Sequence, residues 1–301
     1  MNLLLGHIYV TISALAYGFS PILGKFAYRL GVTPAILLSA RFLLATALLW
    51  MFMFMTRFTQ YRLDLRSLKF CAVQAVVYLL STICFFYAIQ YLDASIASII
   101  LFTYPLFVAF LAILLFKERL SLIRLSVLFT TFTGCSLVIN PPSSLVGLSL
   151  SPRGLLLAFG SSVFYAAHSL ISQRTVYHTS PLVASAYLNT FVMVQTLVIF
   201  PPIYLVTGAV AWSAFAIIFV LVLCTSIIGM VFFLSGIKRI GASRAAIVSS
   251  MEPVFTIILA FFLLGEQMTS LQLVGAAIIL LGILLLQAER HEVMVKKTID
   301  A

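Results

Sequence analysis

Long apolar runs, each about the length that crosses a bilayer, follow one another along this chain with only short polar gaps. A helix needs about 20 mostly apolar residues to span the hydrocarbon. On that basis the pattern predicts ten spans: 5–25, 34–55, 69–91, 94–116, 122–140, 154–173, 182–206, 212–236, 243–264 and 270–288. The longest gaps are 56–68, which is basic, and 141–153, which carries Pro141, Pro142, Ser143, Ser144 and Gly147. Neither leaves room for a soluble domain. The first run contains Ser13-Ala14-Leu15-Ala16, loosely like a signal-peptide cleavage site. No base precedes it and it has a counterpart later in the chain, so it is read as a span.

The runs divide into two sets of five. Residues 94–139 lie on 242–287 without a gap, matching Ala94 with Ala242, Ser95 with Ser243, Pro105 with Pro253, Phe107 with Phe255, Glu118 with Glu266 and Gly134 with Gly282. The same offset of 148 pairs Gly6 with Gly154 and Tyr17 with Tyr165. The predicted organisation is a first repeat at 1–140, a linker at 141–153, a second repeat at 154–288 and a tail at 289–301. An apolar chain built from two copies of one unit is the signature of a secondary transporter.

Composition narrows the class further. The chain is 63% hydrophobic and 9% charged, far more apolar than a soluble protein of 301 residues can bury. Its net charge of +10 does not point to nucleic acid, because the bases sit in short gaps between apolar runs, as anionic headgroups and topology require. With the N-terminus inside, the cytoplasmic segments hold Arg57, Arg62, Arg66, Lys69, Lys117, Arg119, Arg124, Arg174, Lys238, Arg239, Arg244, Arg290, Lys296 and Lys297, 14 of the 18 bases. Lys25, Arg29 and Arg153 remain outside, and Arg41 lies within a span. Both termini are therefore expected in the cytoplasm. Five spans per repeat is an odd number, so the second copy enters inverted. Cys71, Cys84, Cys135 and Cys224 all lie in apolar runs without metal or redox spacing, and read as small buried hydrophobes.

Polar groups inside spans are expensive unless they are paired or face a cavity. Ser161, Tyr165, His168 and Ser172 share a helical face, and the repeat register maps them onto Ser13, Tyr17, Ser20 and Gly24. The small residues suit either a cavity wall or close helix packing. The tyrosines and His168 are too large for close packing and favour a cavity. Glu252 is the one carboxylate well inside a span, with Ser249 and Thr256 on its face and Pro253 after it. Pro253 removes the hydrogen bond to the Ser249 carbonyl, as Pro105 does to Leu101 beside Tyr104. Paired interruptions at matching positions point to a transport site. Arg41 could bind an anionic substrate group, pair with Glu252 or snorkel to the outer headgroups. Its counterpart is Asn189 or a neighbour, since a one-residue slip would align Pro34 with Pro181. Gln74, Tyr78 and Ser81 form a face of the third span, and Lys25 is placed at the outer mouth. Glu118 and Glu266 end their spans and read as caps for the helices that follow.

Met251-Glu252-Pro253-Val254-Phe255 running on to Gly265-Glu266, and Tyr104-Pro105-Leu106-Phe107 running to Glu118, resemble the EamA repeat of the drug/metabolite transporter superfamily. The likeness covers roughly 5–139 and 153–288. It implies an all-α membrane protein of ten helices in two inverted five-helix repeats. It also implies alternating access around a central cavity lined by helices 1–4 and 6–9, with helices 5 and 10 peripheral. The first copy has Tyr104 where the second has Glu252, so symmetric carboxylate chemistry is not expected.

The function expected is secondary transport of a small organic metabolite across the cytoplasmic (inner) membrane, coupled to protons or run as exchange. The candidate site comprises Glu252, Tyr17, Tyr165, His168, Tyr104, Arg41, Tyr78, Gln74, Asn189, Ser249 and Thr256, with helix kinks at Pro105 and Pro253. No metal, cofactor or catalytic residue is expected. The partners expected are a small-molecule substrate, the lipid bilayer and protons, with a homodimer left open and nucleic acid excluded. The alternatives are a membrane scaffold or receptor, and an intramembrane enzyme. His7, His178 and His291 are scattered and no acidic pair lies within a span, which disfavours the enzyme.

Overall fold

The computed structural model describes residues 2–55, 63–104, 106–107, 130, 133–134, 137, 151–177, 179–204, 211–249 and 251–282. Among them every regular element is helical. The first half supplies α1 (Asn2–Arg29), α2 (Pro34–Met55), α3 (Leu65–Tyr91) and α4 (Ala94–Leu101). The second supplies α5 (Pro152–Tyr177), α6 (Pro181–Ile199), α7 (Trp212–Val222), a π-helical turn (Leu223–Gly229), α8 (Met230–Ser249), α9 (Glu252–Leu264) and α10 (Ser270–Gly282). Pro105, Glu118 and most of the fifth predicted span lie outside the described residues. So do the linker up to residue 150 and the tail.

Among the described residues, six helical segments are long and apolar enough to cross a membrane: Leu4–Arg29, Pro34–Met55, Leu65–Tyr91, Pro152–Ser172, Pro181–Ile199 and Trp212–Ile240. The outward faces carry Phe54, Met55, Leu156, Val198, Trp212 and Phe262, each between 75% and 89% exposed. Helices that turn their largest apolar groups outward are packed for lipid rather than water. The chain is a multi-pass membrane protein.

Two predicted boundaries move. The seventh span, expected to reach 206, stops at Ile199 because Pro201 and Pro202 follow. The connection expected at 237–242 is helical, inside α8. Lys238 and Arg239 look like a loop by charge, but nothing there breaks a helix, and the Arg239 guanidinium sits 4.8 Å over the Tyr9 ring. The break comes later, between Ser249 and Glu252, where Pro253 withholds its N–H. One repeat length earlier, α4 ends at Leu101, Phe102 and Thr103 form a turn, and helix resumes at Tyr104. Both halves therefore interrupt the same helix at the same position of the repeat.

The packing repeats too. A methyl group on Gly6 would strike Ile240, and one on Gly154 would come within 2.7 Å of Leu92. Adding 148 to Gly6 and Leu92 gives Gly154 and Ile240, so these are one contact made twice with the halves exchanged. Along α3 and α5 the numbers run in opposite senses, Leu92 meeting Gly154, Ser81 meeting Ser161 and Gln74 meeting Thr175. Along α1 and α3 they run together, Gly24 meeting Phe86 and Lys25 meeting Asp93, with Tyr17 in electrostatic range of Tyr78. The first helices of the two halves, α1 and α5, consequently point in opposite directions, the relation expected of inverted repeats. In the peripheral layer Gly134 packs on the Gly275 carbonyl and Ile279 of α10. α2 and α6 both start at a proline, Pro34 and Pro181, so the register slips by one there. Arg41 thereby corresponds to Leu188, the neighbour of Asn189.

Candidate functional site

The α3–α5 pair brings a run of polar and aromatic groups to the centre of the bundle. Thr175 donates from Oγ1 to Gln74 Oε1 at 2.8 Å, which turns the Gln74 amide nitrogen toward His168 Nδ1, 3.5 Å away. The His168 ring lies tilted against Tyr78, centroids 4.7 Å apart, and against Tyr165 at 5.5 Å. Tyr165 meets Tyr104 edge to face at 4.8 Å. At the other end Arg41 Nη2 donates to Tyr78 Oη at 3.3 Å. One continuous group thus joins α2, α3, the broken end of α4, and α5. Gln74, Tyr78, Tyr104 and His168 are buried, and Tyr165 is partly buried.

Arg41 does not snorkel. It is 2% exposed, with its guanidinium over the Phe42 ring at 5.1 Å and the Phe86 ring at 5.5 Å. Aromatic faces hold the cation here, away from the protein surface.

Glu252 approaches from the opposite half. It opens α9 with no side-chain cap on the preceding residue, in the first turn, where a carboxylate complements the helix N-terminus. The start of α9 rests on Gly18: a methyl there would lie 3.0 Å from Phe255 Cβ, 3.4 Å from Thr256 N and 3.6 Å from the Glu252 carbonyl. Thr256 Oγ1 donates to the Gly18 carbonyl at 3.4 Å. The counterpart in the first half is Ala166, clustered with Phe102, Tyr104 and Phe107. Glu252 accordingly stands toward Tyr17 as Tyr104 stands toward Tyr165, and it lies within electrostatic range of Tyr17, Tyr104 and Tyr165. Tyr17 is also within electrostatic range of Arg41.

The small members of the polar stripes do something else. Ser13 donates to the Gly229 carbonyl at 2.7 Å, bonding α1 to the π turn. Ser81 donates to the Ser161 carbonyl at 2.9 Å, bonding α3 to α5. Gly24 fits under Phe86 and Ile89, and Ser172 donates to the Ser169 carbonyl. Of the two uses open to these residues, the structure puts them to close packing. Ser249 is buried at the end of α8. Asn189 donates to the Ser185 carbonyl at 2.8 Å and toward Met230 Sδ at 3.7 Å, with no hydrogen bond to the Arg41–His168 group.

Thr175 joins the site without having been among the expected residues, and the cap made by Glu266 falls on a different helix from the one expected. Thr175 continues the stripe Ser161, Tyr165, His168, Ser172 by one more helical step, so its position was detectable from spacing. Glu266 caps a helix other than the one that follows it. It accepts from the N–H groups of Ala94 and Ser95 at 2.9 and 3.1 Å, closing the start of α4 in the opposite half. Lys25 is not a free cation at the mouth, since its Nζ pairs with Glu266 at 3.1 Å and Asp93 at 3.5 Å. Cys71, Cys84 and Cys224 are free, and no cluster of metal-ligating side chains occurs among the described residues.

A family model described as the EamA-like transporter family matches residues 4–140 and 152–287. Uncharacterized transporter sll1319 of Synechocystis sp. is 31% identical over 207 residues, 67% of this chain and 61% of its own. That match spans less than two thirds of the cyanobacterial protein. Uncharacterized transporter YcbK of Bacillus subtilis is 26% identical over 283 residues, covering 90% of this chain and 88% of its own. A solved crystal structure superposes with a TM-score of 0.62 at 17% identity, over 95% of this chain and 98% of that one. That likeness is one of fold.

Proposed function

The chain belongs to the EamA-like transporter family, and on that premise we propose that it is a secondary transporter moving a small organic metabolite through the centre of the bundle by alternating access. The observation that carries this reading is the paired helix break. Tyr104 and Glu252 each open a new helix inside the bundle, at equivalent positions of two halves whose first helices run oppositely. A broken helix exposes backbone groups and a helix terminus, which a purely structural span has no reason to do.

The two repeats, 1–140 and 154–288, are the units that rock, and Glu252 carries the coupling proton or holds a cationic part of the substrate. A lone carboxylate beside tyrosines, with no ion pair among the described residues, suits a group that gains and loses a proton as access alternates. His168 is the second candidate for proton handling. The protein sits in the cytoplasmic membrane with both termini inside. An uptake and efflux screen of radiolabelled metabolites with the purified protein in proteoliposomes tests the reading. Solute flux above protein-free vesicles is expected, and absence of flux for every class would leave a scaffold.

A further inference from the structure

Arg41 is a buried cation that no acidic side chain neutralises among the described residues. Its one hydrogen bond among the described residues goes to a neutral phenol, Tyr78 Oη, at 3.3 Å. Its Nε finds no acceptor among the described residues. No carboxylate pairs with it among the described residues, and both ion pairs found there belong to Lys25. Phe42 and Phe86 lie against the guanidinium but supply no counter-charge. A desolvated arginine in a membrane-spanning helix is among the most expensive groups a fold can carry, and it persists where a partner arrives.

Its surroundings fit an anion. Thr175 fixes the Gln74 amide oxygen, so the amide nitrogen is the group that faces His168 Nδ1. In a neutral His168 the ring proton then sits on Nε2, making that nitrogen a donor. A guanidinium with a free N–H, a donor imidazole and a tyrosine hydroxyl are a donor set for a carboxylate or phosphate oxygen. Resting on the transporter reading, we infer that the substrate is an organic anion whose carboxylate or phosphate group seats on Arg41 at the edge of the Tyr78–His168 ring pair.

The inference makes a prediction opposite to that of a structural arginine. Removing an unpaired buried charge stabilises the empty protein, whereas removing a structural one destabilises it. Purified full-length protein in detergent would be melted with benzoate, phenyl phosphate and the neutral benzamide at matched ionic strength, alongside Arg41→Met and Arg41→Lys. Arg41→Met is expected to melt at a higher temperature than wild type when empty. Benzoate or phenyl phosphate, but not benzamide, should raise the wild-type melting temperature, and the anion that does so identifies the group. Affinity for it should fall roughly 30-fold or more in Arg41→Met and less in Arg41→Lys. The inference is overturned if Arg41→Met melts lower than wild type, or if the anions shift both proteins equally, including not at all. It also fails, with the transporter reading intact, if wild type and Arg41→Met move the same neutral solutes at the same rate in proteoliposomes. No flux of any solute by wild type would instead sink the transporter reading.

Discussion

Ser13 donates its hydroxyl to the carbonyl of Gly229 across 2.7 Å, and the exchanged pair, Ser161 and Ser81, is bonded at 2.9 Å. α1 with the π turn, and α3 with α5, are thus joined at equivalent positions of the two halves, with donor and acceptor exchanged. Small residues let these helices approach closely enough for such bonds.

Enlarging one of the close-approach residues should therefore be costly where the neighbour is packed and cheap where it is not. A methyl at Gly154 would meet Leu92 Cγ at 2.7 Å and Tyr91 Cβ at 2.9 Å, whereas at Gly160 the nearest atom is Cys84 Sγ at 3.5 Å. Gly154→Val is expected to destabilise by roughly 1–3 kcal/mol, and Gly160→Ala to be close to neutral. Thermal unfolding of the two purified variants decides this; equal melting temperatures would remove the α3–α5 contact from the account.

Solvent access should divide the polar stripes. Ser13 and Ser161 are 1% and 0% exposed within helix interfaces, while Tyr17 and Tyr165 lie within electrostatic range of Glu252. In a background lacking the four native cysteines, cysteine at 13 or 161 should resist hydrophilic thiol reagents. Cysteine at 17 or 165 should react during turnover and be protected by substrate. Reactive serine positions beside inert tyrosine positions would place the pathway on the other face.

Glu266 joins the halves by accepting from Ala94 and Ser95 while pairing with Lys25. Glu266→Ala leaves two amide donors at the α4 start without their acceptor and Lys25 with Asp93 alone. A loss of about 1–3 kcal/mol is expected, and a smaller one for Lys25→Met, whose partner keeps its amide donors. Melting curves of the two variants check the order; a larger effect at Lys25 would contradict it.

Orientation follows from the distribution of basic residues and can be read directly. Reporter fusions after residue 64 and at the C-terminus should report cytoplasm, and one after residue 146 the exterior. An external C-terminus would overturn the assignment of inside and outside.

What the sequence made legible is what apolar length and the repeat register control. The offset of 148 placed Gly154 with Gly6 and Tyr104 with Glu252, and Pro253 marked the break between α8 and α9. Charge misled at Lys238 and Arg239, because one exposed helical turn and a loop present the same residues to water. The environment of Arg41 was not legible either. It depends on how α3 rotates to bring Tyr78 and Phe86 against α2, which no local pattern records. Glu266 was recognised as a cap, but its target lies 172 residues away in sequence, at Ala94.

The most direct test of the central claim is pH-gradient-driven solute flux in proteoliposomes, wild type against Glu252→Gln. The substitution keeps shape and hydrogen bonding while fixing neutrality. Normal membrane insertion, loss of gradient-driven transport and partial retention of substrate binding or exchange are predicted. Wild-type rate and pH dependence in Glu252→Gln would contradict the account and leave Glu252 a structural residue beside a broken helix.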